Sequence, residues 1–242
     1  MKHPVLILGA SAAMGRALAE AFAAEGKPLW LAGRRLPELE KDCENLRLRY
    51  GVPCKAIFFD AEATDTHTDW VNALETPPQT VVCAFGYLSK DPALPASQPE
   101  LIRTAAVNYT GAISVLNALS TRLQPGSVVV GISSIAGDRG RASNGIYSSA
   151  KAGFSAYLSA LRQQLNKQGV QVLTVKPGYV YSAMTAHLDL PARLTATPAQ
   201  VARDIQRAIR RGVHTCYTPG FWRWIMWVIR LIPERVFMKL RF

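Results

Sequence analysis

Acidic residues are scarce in this chain, cysteines are few and long apolar runs are missing, and each shortage removes a class of protein. Seventeen Asp and Glu against 28 Lys and Arg in 242 residues leave a formal charge of +11. Such a surface asks for an anionic partner: a phosphorylated cofactor, a nucleic acid or an acidic membrane. The four cysteines, Cys43, Cys54, Cys83 and Cys216, lie far apart in sequence and form no C-x-x-C pair. They argue against a disulfide framework or zinc knuckle and for reduced thiols in a cytoplasmic protein. No apolar run reaches the roughly 18–20 residues of a membrane-spanning helix. The most apolar stretch, Phe221 to Ile232, is interrupted by Arg223 and Arg230, and Val5 to Leu8 is too short for the core of a signal peptide. His3, His67 and His214 share no ligand spacing, so no metal site is expected.

What is present is a hydrophobic fraction of 49% with 19% charged residues, enough to bury a core and too apolar for a disordered chain. Short apolar runs alternate with helical patterns. Val5–Leu8, Leu29–Leu31, Ala56–Phe59, Val81–Ala84, Val128–Ile132, Val170–Val175 and Thr215–Tyr217 read as seven strands. The first six lack polar alternation, as strands buried on both faces do. Helical stretches fall at Gly15–Ala24, Pro37–Tyr50, Thr66–Leu74, Pro99–Leu123, Tyr147–Lys167 and Pro198–Arg211, with Thr197 placed to cap the last. Repeated strand–helix–strand units predict an α/β fold, one Rossmann-like, doubly wound domain with a parallel seven-stranded sheet over residues 1–218. Residues 219–242 then form a separate aromatic and basic tail.

The first strand runs into Gly9-Ala10-Ser11-Ala12-Ala13-Met14-Gly15-Arg16 and then a helix. Small residues there let backbone N–H groups and the positive helix end approach a pyrophosphate. The spacing is not G-x-G-x-x-G, so the turn alone is also compatible with a mere small-residue bend. After the second strand, Gly33-Arg34-Arg35 stands where an acidic residue would hold an unphosphorylated ribose. Arg34 suits a 2′-phosphate, with Arg16 joining from the other side, so NADPH (NADP+) is the expected cofactor over NADH.

Tyr147 and Lys151 open a helix four residues apart, on one face. A cation beside a phenol lowers its pKa and lets it exchange a proton with an alcohol or ketone oxygen. Ser134 ends the preceding strand in Gly131-Ile132-Ser133-Ser134, at the carboxyl edge where such sheets bind ligands.

With these motifs in order, residues 1 to about 218 resemble a classical short-chain dehydrogenase/reductase. That family's glycine-rich turn corresponds to Leu8-Gly9 through Gly15, its adenine-holding Asp to Asp60, and its Asn-Ala-Gly element to Cys83-Ala84-Phe85-Gly86. The tetrad falls on Asn108, Ser134, Tyr147 and Lys151. The element that reaches the nicotinamide matches Pro177-Gly178-Tyr179-Val180-Tyr181-Ser182, followed by Met184. The resemblance implies hydride transfer between a nicotinamide and a carbonyl or alcohol carbon. Tyr147 would be the acid/base, Lys151 would lower its pKa and bind ribose, Ser134 would position the substrate oxygen, and Asn108 would hold a relay water. It also implies a homodimer or homotetramer. Leu8, Ala13, Cys83 and Ser182 depart from the family pattern; Ala13 adds a methyl beside the cofactor, and Cys83 removes a side chain that braces the sheet.

The resemblance makes the loop with Met184, His187, Leu188, Leu190 and Leu194 a substrate lining, and its apolar character argues against a highly charged substrate. Beyond it, Trp222, Trp224 and Trp227 flanked by Arg223 and Arg230 read as an interfacial amphipathic helix, kinked at Pro233, on an anionic membrane surface. A buried subunit contact is the competing reading of that helix. The tail is similar in character to those of short-chain reductases acting on lipid-linked keto-sugars or keto-lipids. The expectation is therefore an NADPH-dependent ketone reductase with a lipophilic or lipid-linked substrate, the alternative being an NADPH-binding sensor without turnover. Residues 201–242 hold nine Lys and Arg against two Asp and Glu, which concentrates the charge in the tail and, with no reader motif, argues against nucleic acid.

Overall fold

Seven parallel strands form one sheet in the order β3-β2-β1-β4-β5-β6-β9. They are β1 (Val5–Leu8), β2 (Leu29–Gly33), β3 (Cys54–Phe58), β4 (Thr80–Cys83), β5 (Val128–Ile132), β6 (Gln171–Pro177) and β9 (Thr215–Thr218). The computed structural model describes residues 3–89, 94–186 and 189–240. A two-residue pairing of β7 (Tyr179–Val180) with β8 (Thr195–Ala196) lies outside the main sheet. Strand order reverses between β1 and β4, which opens the crevice where ligands of such sheets sit.

The unbroken apolar strands are explained by two cores. Val5 and Ile7 point to one face, under α1 (Ala13–Ala24), α2 (Leu36–Tyr50) and α7 (Pro198–Arg210). Leu6 and Leu8 point to the other, under α3 (His67–Asn72), α5 (Gly111–Ser120) and α6 (Gly145–Asn166). Thr197 caps α7 by accepting from the Gln200 N–H. The expected burial fails for β3: it is the sheet edge, and Phe58 is 57% exposed. Lys55 on that strand pairs with Glu75 in solvent, the charged side chain that keeps an edge from pairing further.

The helix expected over Pro99–Leu123 is also divided. α4 (Gln98–Ala105) passes into a π-helical turn, Ala106–Thr110, before α5. The Asn108 side-chain amide donates to the Thr104 carbonyl at 3.0 Å. That carbonyl is the one an α-helix would give to the Asn108 N–H, so a side chain has replaced the backbone donor and the turn widens.

Cys43 and Cys54, distant as sequence positions, meet where α2 packs on β3, with Sγ atoms 2.7 Å apart and both thiols free. The tail forms α8 (Trp222–Leu231) and α9 (Glu234–Phe237), broken at Pro233. Among the described residues, no helix is long and apolar enough to cross a membrane, and no cluster of His, Cys, Asp or Glu is placed to hold a metal ion.

Candidate active site

The β1–α1 turn folds as its small residues dictate. Gly9 has φ +83°, and a Cβ there would lie 2.6 Å from the Phe85 nitrogen, so only glycine lets the loop after β4 close on the turn. No side chain caps α1 at Ala12, so the N–H groups of its first turn face the crevice without an N-cap acceptor, as an anion site requires. Ser11 and Gly9 line a cavity of about 260 Å³ with Gly33, Arg34, Arg35 and Asp60. Phe85 and Gly86 bound it on the β4 side. Ala13 opens α1 and does not line the cavity, Gly15 is buried against Gly9 and Ala10, and Met14 packs on the core.

The cavity lining carries two cations, Arg34 and Arg35, and two acids, Asp60 and Glu62. Arg34 pairs with Glu62 at 3.3 Å and Arg35 with Glu38 at 3.0 Å, both at the cavity rim with side chains more than half exposed. Arg16, expected to join them, instead turns to α2. Its guanidinium donates to Asp42 at 2.8 Å and Glu38 at 3.1 Å, the hydrogen bond to Asp42 raises its pKa, and it does not line the cavity. Asp60 accepts the Glu62 N–H at 3.1 Å, fixing the turn after β3.

At the other end, β5 and α6 bring the remaining groups together. Ser134 follows β5 and hydrogen-bonds half-buried Tyr147 on the first turn of α6. Lys151, one turn on, is buried and donates to the Ile132 carbonyl at 3.1 Å. A Cβ on Gly86 would lie 3.1 Å from Asn108 Oδ1, 3.7 Å from Lys151 Nζ and 3.8 Å from Met184 Cε. Thus the cavity wall, Asn108, Lys151 and the loop after β7 meet at one glycine. Asn108 is fully engaged by protein: it accepts the Tyr87 N–H at 3.1 Å and donates to the Tyr87 carbonyl at 2.6 Å. Pro177 ends β6, Val180 is buried, and Ser182 is 3.1 Å from the Thr185 hydroxyl. Ala84 is buried and donates to the Leu8 carbonyl at 2.9 Å.

Burial acts on both ionisable groups of this end of the site. Burial pushes Tyr147 up to about 12, opposed by the Ser134 hydrogen bond. Burial also pulls Lys151 down to about 8. Its Nζ lies 5.9 Å from the centre of the Tyr147 ring. Of the two influences on the Tyr147 phenol, desolvation is the larger and the Ser134 hydrogen bond opposes it.

Sequence reasoning missed three contributors. Ser133 bonds the Lys151 carbonyl at 3.0 Å and the Ser155 hydroxyl at 2.7 Å, pinning α6 to β5. Tyr87 lies under Arg103 and donates to Glu100 at 2.7 Å, bracing the loop that Asn108 holds. The pyrrole ring of Trp222 lies against Gly178, where a Cβ would meet its Nε1 at 1.9 Å, and its Nε1 donates to the Leu194 carbonyl at 3.3 Å. The tail's first helix is thus a wall of the loop after β7. Beside Tyr147, Leu88, Ala96 and Ile146 line a small cleft together with the polar Ser89, Glu100 and Thr104. His187 and Leu188 lie outside the described residues.

Comparison with known proteins agrees with this construction. The short chain dehydrogenase family model matches residues 3–192. A Streptomyces coelicolor protein described as an uncharacterized oxidoreductase is 36% identical over 243 residues, covering 98% of this chain and 95% of that protein. Among solved structures, a short-chain dehydrogenase from Sphingobium yanoikuyae in complex with NADPH superposes with a TM-score of 0.80 at 18% identity, covering 98% of this chain and 96% of the other. A 3-oxoacyl-[acyl-carrier protein] reductase from Brucella melitensis in complex with NAD gives 0.81 at 20% identity, covering 91% and 97%. The chain belongs to the short-chain dehydrogenase family. It is an oxidoreductase with a Rossmann-like nucleotide-binding fold.

Proposed function

We propose that the protein reduces a ketone to an alcohol with NADPH, and that the ketone is lipophilic or lipid-linked. The observation that carries the reading is the meeting at Gly86: the nucleotide cavity ends against Asn108 and Lys151, one helical turn from the Tyr147–Ser134 pair. Two cations at the cavity rim, Arg34 and Arg35, suit a 2′-phosphate, and relatives in fold are described as bound to NADPH or to NAD.

Bound in the cavity, NADPH supplies the hydride, and the proton falls to the chain. A phenol held neutral by burial is a proton donor, so Tyr147 suits the reductive direction: it passes its proton to the carbonyl oxygen as that oxygen gains charge. Ser134 holds the same oxygen, and Lys151, charged below pH about 8, stabilises the phenolate left behind. Asn108 holds the Tyr87 backbone and with it the loop that carries Gly86. The cleft beside Tyr147 mixes Leu88, Ala96 and Ile146 with Ser89, Glu100 and Thr104, so the reading of a lipophilic substrate rests on Met184, Leu190 and Leu194 of the loop after β7.

NADPH oxidation with a panel of keto-lipids, lipid-linked keto-sugars and small ketones tests the reading. Turnover should be greatest with the long-chain members and should vanish in Tyr147→Phe while NADPH binding persists. Undiminished turnover in that variant removes Tyr147 from the chemistry. NADPH binding without turnover of any member would favour the sensor.

A further inference from the structure

The tail has two faces of different character. On α8, Trp222 and Met226 are buried with Ile135, and Ile225 and Ile229 pack against them. The opposite arc carries Trp224 (65% exposed), Trp227 (59%), Val228 (55%) and Leu231 (62%). At 100° per residue these four fall within about 100° of one another, a continuous apolar strip on the outer side of the helix. Arg223 and Arg230 run along one border of the strip, and exposed Val236 and Met238 follow it beyond Pro233.

A cavity of about 350 Å³ opens at the root of this strip, lined by Arg207, Arg211, Arg223, Tyr217 and Trp224. Its one carboxylate, Asp204, already accepts from Thr218 at 2.8 Å and pairs with Arg207 at 3.3 Å. Arg211 and Arg223 have no carboxylate partner among the described residues, and Arg223 lies 5.7 Å from the centre of the Trp224 ring. Three guanidiniums, from α7, the residue that follows it and α8, therefore line one cavity beside an exposed indole, with one acid among the described lining residues.

From this juxtaposition we infer that α8 and α9 dock the protein on an anionic phospholipid surface. The outer strip enters the headgroup–acyl boundary, and the Arg207–Arg211–Arg223 cavity receives a lipid phosphate. Charge decides the occupant. A second copy on the same face would set Arg223 and Arg230 near their own counterparts across a two-fold axis, and the one acid of the described tail, Glu234, is held by Arg139 at 2.7 Å. An anionic bilayer meets both requirements, apolar depth for the indoles and phosphate for the arginines. This surface is distinct from the cofactor cavity and stands whether or not the enzyme reduces a ketone.

Co-flotation of the full-length protein with vesicles tests it. Vesicles containing phosphatidylglycerol should retain at least about tenfold more protein than pure phosphatidylcholine, and retention should fall with added salt. The double variant Trp224→Ser/Trp227→Ser should lose retention while keeping NADPH binding and melting temperature. Arg207→Gln/Arg211→Gln/Arg223→Gln should lose the preference for anionic vesicles. Inorganic phosphate at millimolar concentration should leave retention intact, because the strip supplies the rest of the attachment. Protein that stays in the dense fraction with anionic vesicles overturns the inference. So does concentration-dependent dimerisation abolished by the tryptophan variant, or a phosphate effect that fully replaces the vesicle effect.

Discussion

Arg139 holds the end of α8: its guanidinium donates to the Ile232 carbonyl at 2.6 Å and to the Ile229 carbonyl at 3.1 Å. The same group lies 4.0 Å from the centre of the Phe237 ring and pairs with Glu234. A cation at the unsatisfied carbonyls of a helix C-terminus is favourable on both hydrogen-bonding and dipole grounds. The neighbouring residue, Asp138, pairs with Lys176 and accepts from the Tyr217 hydroxyl at 2.8 Å. Both residues follow Ser134 in one short segment, Ile135 of which packs on Trp222. The tail and Ser134 are therefore tied to the same few residues, and the tail is not a free appendage of the domain.

Replacing Arg139 with Met should release α9 and the last turn of α8. Loss of several charge-assisted bonds and a ring contact is expected to cost about 2–3 kcal/mol. The melting temperature should fall and hydrogen exchange should rise across residues 222–237. Turnover should fall more than NADPH affinity, because Ser134 and the Gly178 loop lose their packing while the nucleotide cavity is untouched. Unchanged exchange in the tail would show that Trp222 and Met226 hold it without Arg139.

Most of the strands were legible in the sequence because burial on both faces leaves no polar alternation, and the candidate site residues because the family motifs keep their order. What escaped depends on distance in three dimensions. Arg16 reads as a cofactor arginine until α2 brings Asp42 and Glu38 against it. The helical pattern from Pro99 onward hides the π-turn, since the cause is one side chain, Asn108, reaching back to Thr104. The tail's amphipathic pattern gave two faces but not which one packs; Gly178 decides that by leaving room for Trp222. β3 carries strand residues yet lies at the edge, a matter of sheet order that no local pattern records.

The two arginine sites should separate in a cofactor assay. Arg34→Ala removes a rim cation that has Glu62 at 3.3 Å and should weaken NADPH binding by about tenfold or more, with little effect on NADH. Arg16→Ala should leave NADPH affinity within about twofold, since that guanidinium is occupied by Asp42 and Glu38. Titrating each variant with both dinucleotides checks the assignment. An Arg16→Ala loss as large as that of Arg34→Ala would return Arg16 to the phosphate site.

Lys151 gives the protein a specific pH signature. Its folded pKa of about 8 lies below the ordinary 10.5 because burial disfavours the charged form. Between these values the unfolded chain binds the proton that the folded chain has released, so stability rises with pH across this window. Below pH about 8 both states are protonated and the burial cost is fully present. Comparison of wild type with Lys151→Met, both without cofactor, isolates the effect. The wild type should gain up to about 3 kcal/mol relative to the variant between pH 7.5 and 10.5. Parallel stability curves would place the lysine in contact with solvent.

The Cys43–Cys54 pair should close under mild oxidation. The Sγ atoms are 2.7 Å apart; Cys43 is fully buried, while Cys54 is partly exposed. Donation from the Cys54 thiol lowers the pKa of Cys43 and raises that of Cys54, so Cys43 is the better thiolate and Cys54 the accessible sulfur. A diazene oxidant such as diamide adds to the Cys54 sulfur. The Cys43 thiolate then attacks that sulfur, expelling the reduced hydrazine and forming the disulfide. The bond would tie α2 to β3, adding about 2–3 kcal/mol of stability. Neither residue lines the nucleotide cavity, so turnover should persist. Mass spectrometry should find the loss of two hydrogens, reversed by dithiothreitol and absent from Cys54→Ser. The same loss in that variant would assign it to Cys83 or Cys216 and leave α2 and β3 unlinked.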